Sequence, residues 1–299
     1  MDIIVSLLLS IATQSNTPDA PKFSNCNVPK GWEQINARDP RFVVFGELHG
    51  TQQSPDFIAN LACGLSSKGQ KILVAVELSA AEDSKLQEAW KLPADRFDNA
   101  LLESGWRGRT DGVASAAMFS MIVRLHNLKE QGSPIRIVAF NGTKDRKKSV
   151  RFADLPGQGP HEAEQAANIA EAANTSEYDR VLVLVGNFHA RTGSVALPGV
   201  QFDPMAKRLA QYGSTVSLNM RYAEGTSWNC VLKAPKEQND KPVTADSLDC
   251  GIHHTRGSKD IGSEPFIELT PSPRTEQHAD YDGYFWVGPI SGSPPVAIK

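Results

Sequence analysis

From Arg41 to Arg221 the chain alternates short, mainly apolar runs with longer stretches of helical period. The runs are Phe42 to Phe45, Ile72 to Val76, Ile135 to Phe140, Val181 to Val185 and Val216 to Met220. Phe42 to Phe45, Ile72 to Val76 and Val181 to Val185 are apolar at consecutive rather than alternating positions, as a strand must be when helices cover both of its faces, so the pattern predicts a mostly parallel sheet. Arg136 interrupts the third run, and Ser217 and Asn219 alternate with apolar residues in the fifth. Helices are predicted over about Pro55 to Ser67, Ala81 to Trp90, Val113 to Glu130, Glu162 to Ala173 and Pro204 to Tyr212. Five strands joined by helical crossovers specify an α/β fold with helices on both faces of the central sheet.

After Arg221 the helical period disappears. Three β-like runs follow, Trp228 to Lys233, Ser247 to Ile252 and Tyr284 to Ile290, between stretches rich in Lys, Asp, Pro, Ser and Gly. They read as a β-rich C-terminal extension over residues 222–299, packed on a core over residues 21–221, with Gly292 to Lys299 frayed. At the other end, Ile3 to Ala12 is a longer apolar stretch interrupted only by Ser6 and Ser10. It is far shorter than the roughly 20 residues that span a bilayer, so no stable membrane span is expected. Ser10 and Ala12 put small residues at the −3 and −1 positions of a cleavage site, so residues 1–20 are predicted to be a signal peptide and linker, although Asp2 stands where a basic residue is usual. The expected location is periplasmic or secreted.

Composition narrows the partners. The 299 residues carry 31 Lys+Arg against 34 Asp+Glu, a formal net charge of −3. Nucleic acid is therefore excluded as a default partner, since phosphate binding calls for a basic surface. The main basic cluster, Lys144, Arg146, Lys147, Lys148 and Arg151, lies between Gly142 and Gly159 and reads either as a solvated loop or as a lid. Cys26, Cys63, Cys230 and Cys250 contain no CxxC pair, which argues against a zinc ribbon or a thioredoxin-type centre. An even count suits export. The pairing Cys26 with Cys63 and Cys230 with Cys250 keeps each bridge local to one end of the chain; four buried thiols in a cytosolic protein is the other reading.

Several chemistries are ruled out by missing motifs. There is no GxxxxGK[ST], GxGxxG or GxSxG, and His161-Glu162 has no second histidine four residues on, so P-loop, dinucleotide, serine-hydrolase and zincin sites are not expected. What stands out is where the polar residues fall. Strand one ends in Gly46-Glu47-Leu48-His49-Gly50, strand two in Glu77, strand three in Asn141 and strand four in Gly186-Asn187-Phe188-His189. All are carboxyl ends, and in open α/β sheets ligands bind in the crevice outside those ends. Glu47 and His49, two residues apart, point to one side of an extended backbone. Glu47, His49, Glu77 and His189 are thus the candidate catalytic or metal-ligating set, two imidazoles and two carboxylates that suit either water activation or a divalent cation such as Mn or Zn. Arg109, in the glycine-rich loop Gly105 to Gly112, is a candidate for binding an anion or an oxyanion, or else a partner of Asp111. His126 is expected in or beside the core, and His253, His254 and His278 receive no role.

In the order GELHG, VELS, GW…GRTDG, IVAFN, HEAEQAANI and LVGNFHA, the region from about Arg41 to Arg221 resembles the superfamily that joins ChaN-like haem-uptake proteins, erythromycin-esterase-like hydrolases and the TraB/Tiki proteases. The signature Gly46 to Gly50, Glu77 and the Gly-x-x-His of Gly186 to His189 carry the likeness. The resemblance implies a site built from Glu47, His49, Glu77 and His189. It implies one of three chemistries: metal-dependent proteolysis as in Tiki-like proteins, water activation by histidine and glutamate as in the esterase-like ones, or haem binding as in ChaN. A hydrolase acting on a small molecule or peptide is the expected function, and a haem or metal-ligand binding protein without turnover the alternative, with His49 or His189 as an axial ligand. The chain departs from the pattern in two places. No tyrosine suited to haem is visible beside the strand ends, and Glu162 to Ile169 lacks the arginine often found at that helix start.

Overall fold

Both faces of the central strands are apolar, and both are buried. The computed structural model describes residues 26–142, 151–233, 247–270 and 280–296. The predicted signal segment, the basic residues at 144–148 and His278 lie outside the described residues. The helix α1 (Trp32–Arg38) leads into β1 (Phe42–Glu47), followed by α2 (Gln53–Ser66), β2 (Ile72–Ser79), α3 (Asp83–Trp90), α4 (Ala94–Glu103), α5 (Ala116–Glu130), β3 (Ile135–Asn141), α6 (Gly159–Ala173) and β4 (Arg180–Gly186). The short strands β5 (Val195–Leu197) and β6 (Val200–Phe202), the helix α7 (Met205–Leu209) and β7 (Thr215–Arg221) follow. The chain then forms β8 (Gly225–Leu232), β9 (Leu248–Thr255), β10 (Phe266–Leu269) and β11 (Gly283–Trp286).

Seven strands make one sheet in the order β10-β11-β7-β1-β4-β2-β3, parallel throughout except where β10 joins β11. The alternate residues Val43, Phe45, Val74 and Val76 pack beneath α2 and α5, while Phe42, Val44, Leu73 and Ala75 pack on α6 and α7. That two-sided burial is why the sequence shows continuous apolar runs. The α/β class and the five predicted strands hold. Residues after 221 divide into two parts. β8 and β9 form an antiparallel ribbon outside the sheet, whereas β10 and β11 extend the sheet itself. Phe285 of β11 fixes the join, its ring 5.3 Å from Phe45 and 5.1 Å from Phe57.

Three local expectations are revised. The helix predicted from Val113 begins at Ala116, because Ser115 adopts an extended backbone and its Oγ accepts from Met118 N, a cap that separates α5 from a 3-10 turn at Gly112–Ala114. The helix predicted over Pro204 to Tyr212 is only Met205–Leu209. The expected fraying from Gly292 does not occur in the described part of that segment. Gly292 bridges Thr51 and Pro295 bridges Ser115, while Ala116 N donates to Pro294 O at 2.7 Å. These groups would otherwise be unpaired donors at a helix start, which is the reason the segment is held.

Both predicted disulfides are present, and no described cysteine is free. The Cα atoms of Cys26 and Cys63 are 5.2 Å apart. Those of Cys230 and Cys250 are 3.9 Å apart, because the two residues face each other directly across the ribbon. Lys233 N bonds Ser247 O, and counting back by alternation makes 230 and 250 a non-hydrogen-bonded pair, where opposing Cα atoms come closest. Among the described residues no helix is long and apolar enough to cross a membrane.

Candidate active site at the strand carboxyl ends

β4 runs between β1 and β2, so Glu47 and Gly186, which end β1 and β4, lie at one edge of the sheet with Glu77, which stands two residues before the end of β2 at Ser79 rather than ending it as expected. Two residues past Glu47, His49 folds back over this edge. Its Nδ1 is 2.9 Å from Glu47 Oε1 and its Nε2 is 3.3 Å from Glu77 Oε2. The ring lies so close to β4 that a Cβ on Gly186 would sit 2.7 Å from His49 Nε2, so only glycine leaves room for it. Gly186 N in turn donates to Glu77 Oε2 at 2.7 Å. A turn closed by His189 N donating to Gly186 O brings the second imidazole to the same carboxylate, with Nε2 3.7 Å from Glu77 Oε1.

His189 has a carboxylate of its own that the sequence reading does not include. Its Nδ1 is 2.8 Å and 2.9 Å from the two oxygens of Glu162, a fully buried residue in the first turn of α6. Glu162 Oε2 also accepts from Met205 N, the start of α7. The result is an alternating row, Glu47, His49, Glu77, His189 and Glu162. In sequence Glu162 has the pattern of a helix-start acid complementing the dipole, and His161-Glu162 lacks the second histidine that would mark a metal motif. An acid directly after a histidine at a helix start is the one local feature the sequence offers, and it carries no sign of burial.

The row sets the charge state of its members. Burial lowers the His49 pKa, but the Glu77 charge and the hydrogen bonds to Glu47 and Glu77 outweigh it and lift the imidazole to about 10. For Glu77, burial raises the pKa, and the opposing charges of His49 and His189 with the Gly186 N–H bring it down to about 2. His189 is also raised: burial opposes it, while the Glu162 hydrogen bond and the Glu77 charge prevail over repulsion from His49.

Around this row sit further polar groups. The His161 ring centroid is 5.7 Å from that of His189, and Gln165 Nε2 lies 3.2 Å from His161 Nε2 and donates to Asn141 Oδ1 at 2.9 Å, tying the end of β3 to the site. Tyr281 corrects the expectation that no tyrosine stands beside the strand ends. Its hydroxyl donates to Asn187 O at 2.8 Å, and burial pushes the phenol up to about 12. Arg109 does not join the row; its guanidinium forms a two-pronged pair with Asp111 at 3.0 and 2.8 Å. The loop after His49 is anchored by its neighbours. Gly50 N donates to Gly112 O, and Gly50 O accepts from both Trp228 N and Ser293 N. Gly50 has φ +73°, and a Cβ there would lie 2.2 Å from Trp228 O.

The expected metal centre is not seen in this arrangement. Each imidazole already has a carboxylate on Nδ1 and Glu77 facing Nε2, and among the described residues no group of three or more His, Cys, Asp or Glu is spaced to hold a metal ion.

No protein-family model and no curated protein sequence matches the chain. Solved structures do. A succinoglycan biosynthesis protein aligns with TM-score 0.59 at 10% identity, covering 88% of this chain and 91% of that one. A mutant of the erythromycin esterase EreC, in its open conformation, aligns with TM-score 0.57 at 12% identity, covering 89% and 95%. ChaN of Campylobacter jejuni, a haem-binding protein, aligns with TM-score 0.39 at 16% identity over 63% and 84%. At these identities the likeness establishes a shared fold with the first two.

Proposed function

We propose that the strand-end crevice is a metal-independent hydrolytic centre in a protein exported from the cytoplasm, where two carboxylate-held imidazoles act on one bond from either side of Glu77. The observation that carries this reading is the row itself. A carboxylate on Nδ1 fixes an imidazole's tautomer and orientation and leaves Nε2 as the working atom, and here the arrangement occurs twice, at 2.9 and 2.8 Å. The two Nε2 contacts to Glu77, at 3.3 and 3.7 Å, are longer than ordinary hydrogen bonds, so a water or substrate oxygen gains by entering between them. His49, flanked by two carboxylates and charged up to about pH 10, keeps the proton that a leaving group needs. His189, with its second carboxylate farther off and the His49 charge opposing it, is the readier base for water. The fold shared with an esterase structure favours this chemistry. Export is favoured by two disulfides, which persist in oxidising compartments, and by the apolar stretch Ile3 to Ala12.

Hydrolysis of 4-nitrophenyl acetate, measured with EDTA present, tests this. The expected pH profile is bell-shaped, rising above 6.5 as His189 loses its proton and falling near 10 as His49 loses its own. His49→Ala and His189→Ala each lower kcat by at least about 100-fold, whereas His253→Ala, on the ribbon, leaves it unchanged. Rates for wild type no higher than those of both alanine variants would refute the reading.

A further inference from the structure

The β8–β9 ribbon turns an apolar face to solvent. Its register pairs Trp228 with Ile252, Cys230 with Cys250 and Leu232 with Leu248. Directly paired residues share a face, and so do residues two apart, so these six side chains form one stripe. The other face carries Ser227, Asn229, Asp249 and His253 along with Val231. An ordinary ribbon would show water its polar side. Here Ser227 is fully buried, although Val231 and Asp249 on the same face are exposed, so toward its tip the ribbon meets water on both faces. On the stripe Leu232 and Ile252 are each 54% exposed, both cysteines are exposed, and Trp228 and Leu248 are partly buried.

The stripe begins at the rim of the crevice. Trp228 N donates to Gly50 O, one residue after His49, and the indole Nε1 donates to Thr110 O at 3.0 Å. Ile252 lies against Gly292, where a Cβ would be 2.9 Å from Ile252 Cγ2. From Trp228 to Leu232 the stripe runs about 13 Å and is two strands wide. At about 13 Å by about 10 Å the stripe covers on the order of 130 Å², far below the roughly 800 Å² that each partner buries in a stable protein complex, but it suits a single apolar chain.

We infer that this stripe holds the apolar body of the substrate, an ester or amide of a medium-length aliphatic acid, with the bond to be cleaved lying at Glu77. The inference rests on the hydrolytic reading for the word substrate, and on the ribbon's register and exposure for the apolar body. Calorimetric titration with decanoate and with acetate tests the stripe without turnover. Wild type binds decanoate and not acetate. The double variant Leu232→Ser, Ile252→Ser weakens decanoate binding at least tenfold, with an unchanged melting temperature because both side chains are exposed. In turnover, the ratio of kcat/KM for 4-nitrophenyl decanoate to that for the acetate ester falls at least tenfold in the double variant. Equal decanoate binding by both proteins overturns the inference. So does a wild-type dimer that the double variant dissolves without change in decanoate binding, since the stripe would then be a contact between copies. Decanoate binding that depends on the stripe, with no hydrolysis of either ester, sinks the hydrolytic reading and keeps the stripe as an apolar ligand site.

Discussion

Two buried regions of this protein hold histidines, and they treat the imidazole in opposite ways. His126 on α5 is wholly enclosed, stacked on Phe97 at 3.8 Å and edge-on to Trp90, with Nε2 2.9 Å from Leu92 O and no partner for Nδ1. Burial lowers its pKa, and Lys129 adds to that. At the strand ends burial also acts to lower the pKa of His49 and His189, yet both are raised. The difference lies in the carboxylates. Burial alone makes an imidazole a neutral packing group, whereas burial beside paired carboxylates makes it a retained cation.

The comparison is broken most severely by removing the carboxylate that both site histidines share. Glu77→Gln takes away the largest raising influence on His49, so its pKa, followed by NMR titration, falls from about 10 toward the ordinary 6.5, and ester hydrolysis drops by at least about 100-fold. A His49 that still titrates near 10 in that variant contradicts the account of the row. Next in size is the apolar side. His126→Ala leaves a cavity among Trp90 and Phe97 and is expected to cost about 3 kcal/mol in a denaturant melt, with esterase kinetics untouched, while His126→Phe recovers most of that loss.

The pH dependence of stability separates the regions more finely. For His126 the folded-state pKa is depressed, so the unfolded chain binds the proton more readily and stability is lost as pH falls below about 6.5. Glu77 also has a depressed value, and its contribution, present above 4.5, disappears as pH falls toward 2. His49 is raised, so its contribution is full below 6.5 and is lost as pH climbs through 10. Melting temperatures from pH 4 to 11 are therefore expected to trace a plateau with two shoulders. His126→Phe flattens the acid shoulder near 6, and Glu77→Gln flattens the alkaline one; exchange of these two effects between the variants would refute the assignment. The smallest effect belongs to Glu162→Gln. It keeps the shape and a hydrogen bond to Met205 N but withdraws the charge, so the rising limb of the esterase pH profile shifts to lower pH with little change in melting temperature.

The regions also differ in how far the sequence disclosed them. Strand-end residues Glu47, His49, Glu77 and His189 were legible because an apolar run that stops at a polar residue marks both a strand and its edge. The His126 environment was legible from Ile122 and Val123 on the preceding turns. Glu162 and Tyr281 were not, because nothing local distinguishes a helix-start acid or a tail tyrosine from the many that face water; only the crossover from β3 to β4 and the return of residues 280–296 to the sheet bring them in. β10 escaped for a similar reason. Phe266–Leu269 is a four-residue edge strand, too short for periodicity to register, and its partner lies across a polar interval.

The segment at 291–296 ties the His49 loop to the far end of the chain. Ser293 N and Oγ reach Gly50 O and Ala117 N, and Ser291 bonds Gln53 across 238 residues of sequence. The loop that presents His49 is thus completed by residues that emerge from the ribosome after every strand of the sheet. During synthesis the sheet can assemble strand by strand while its strand-end histidine loop lacks its last tether, so the crevice is finished only once the final sheet strand is out.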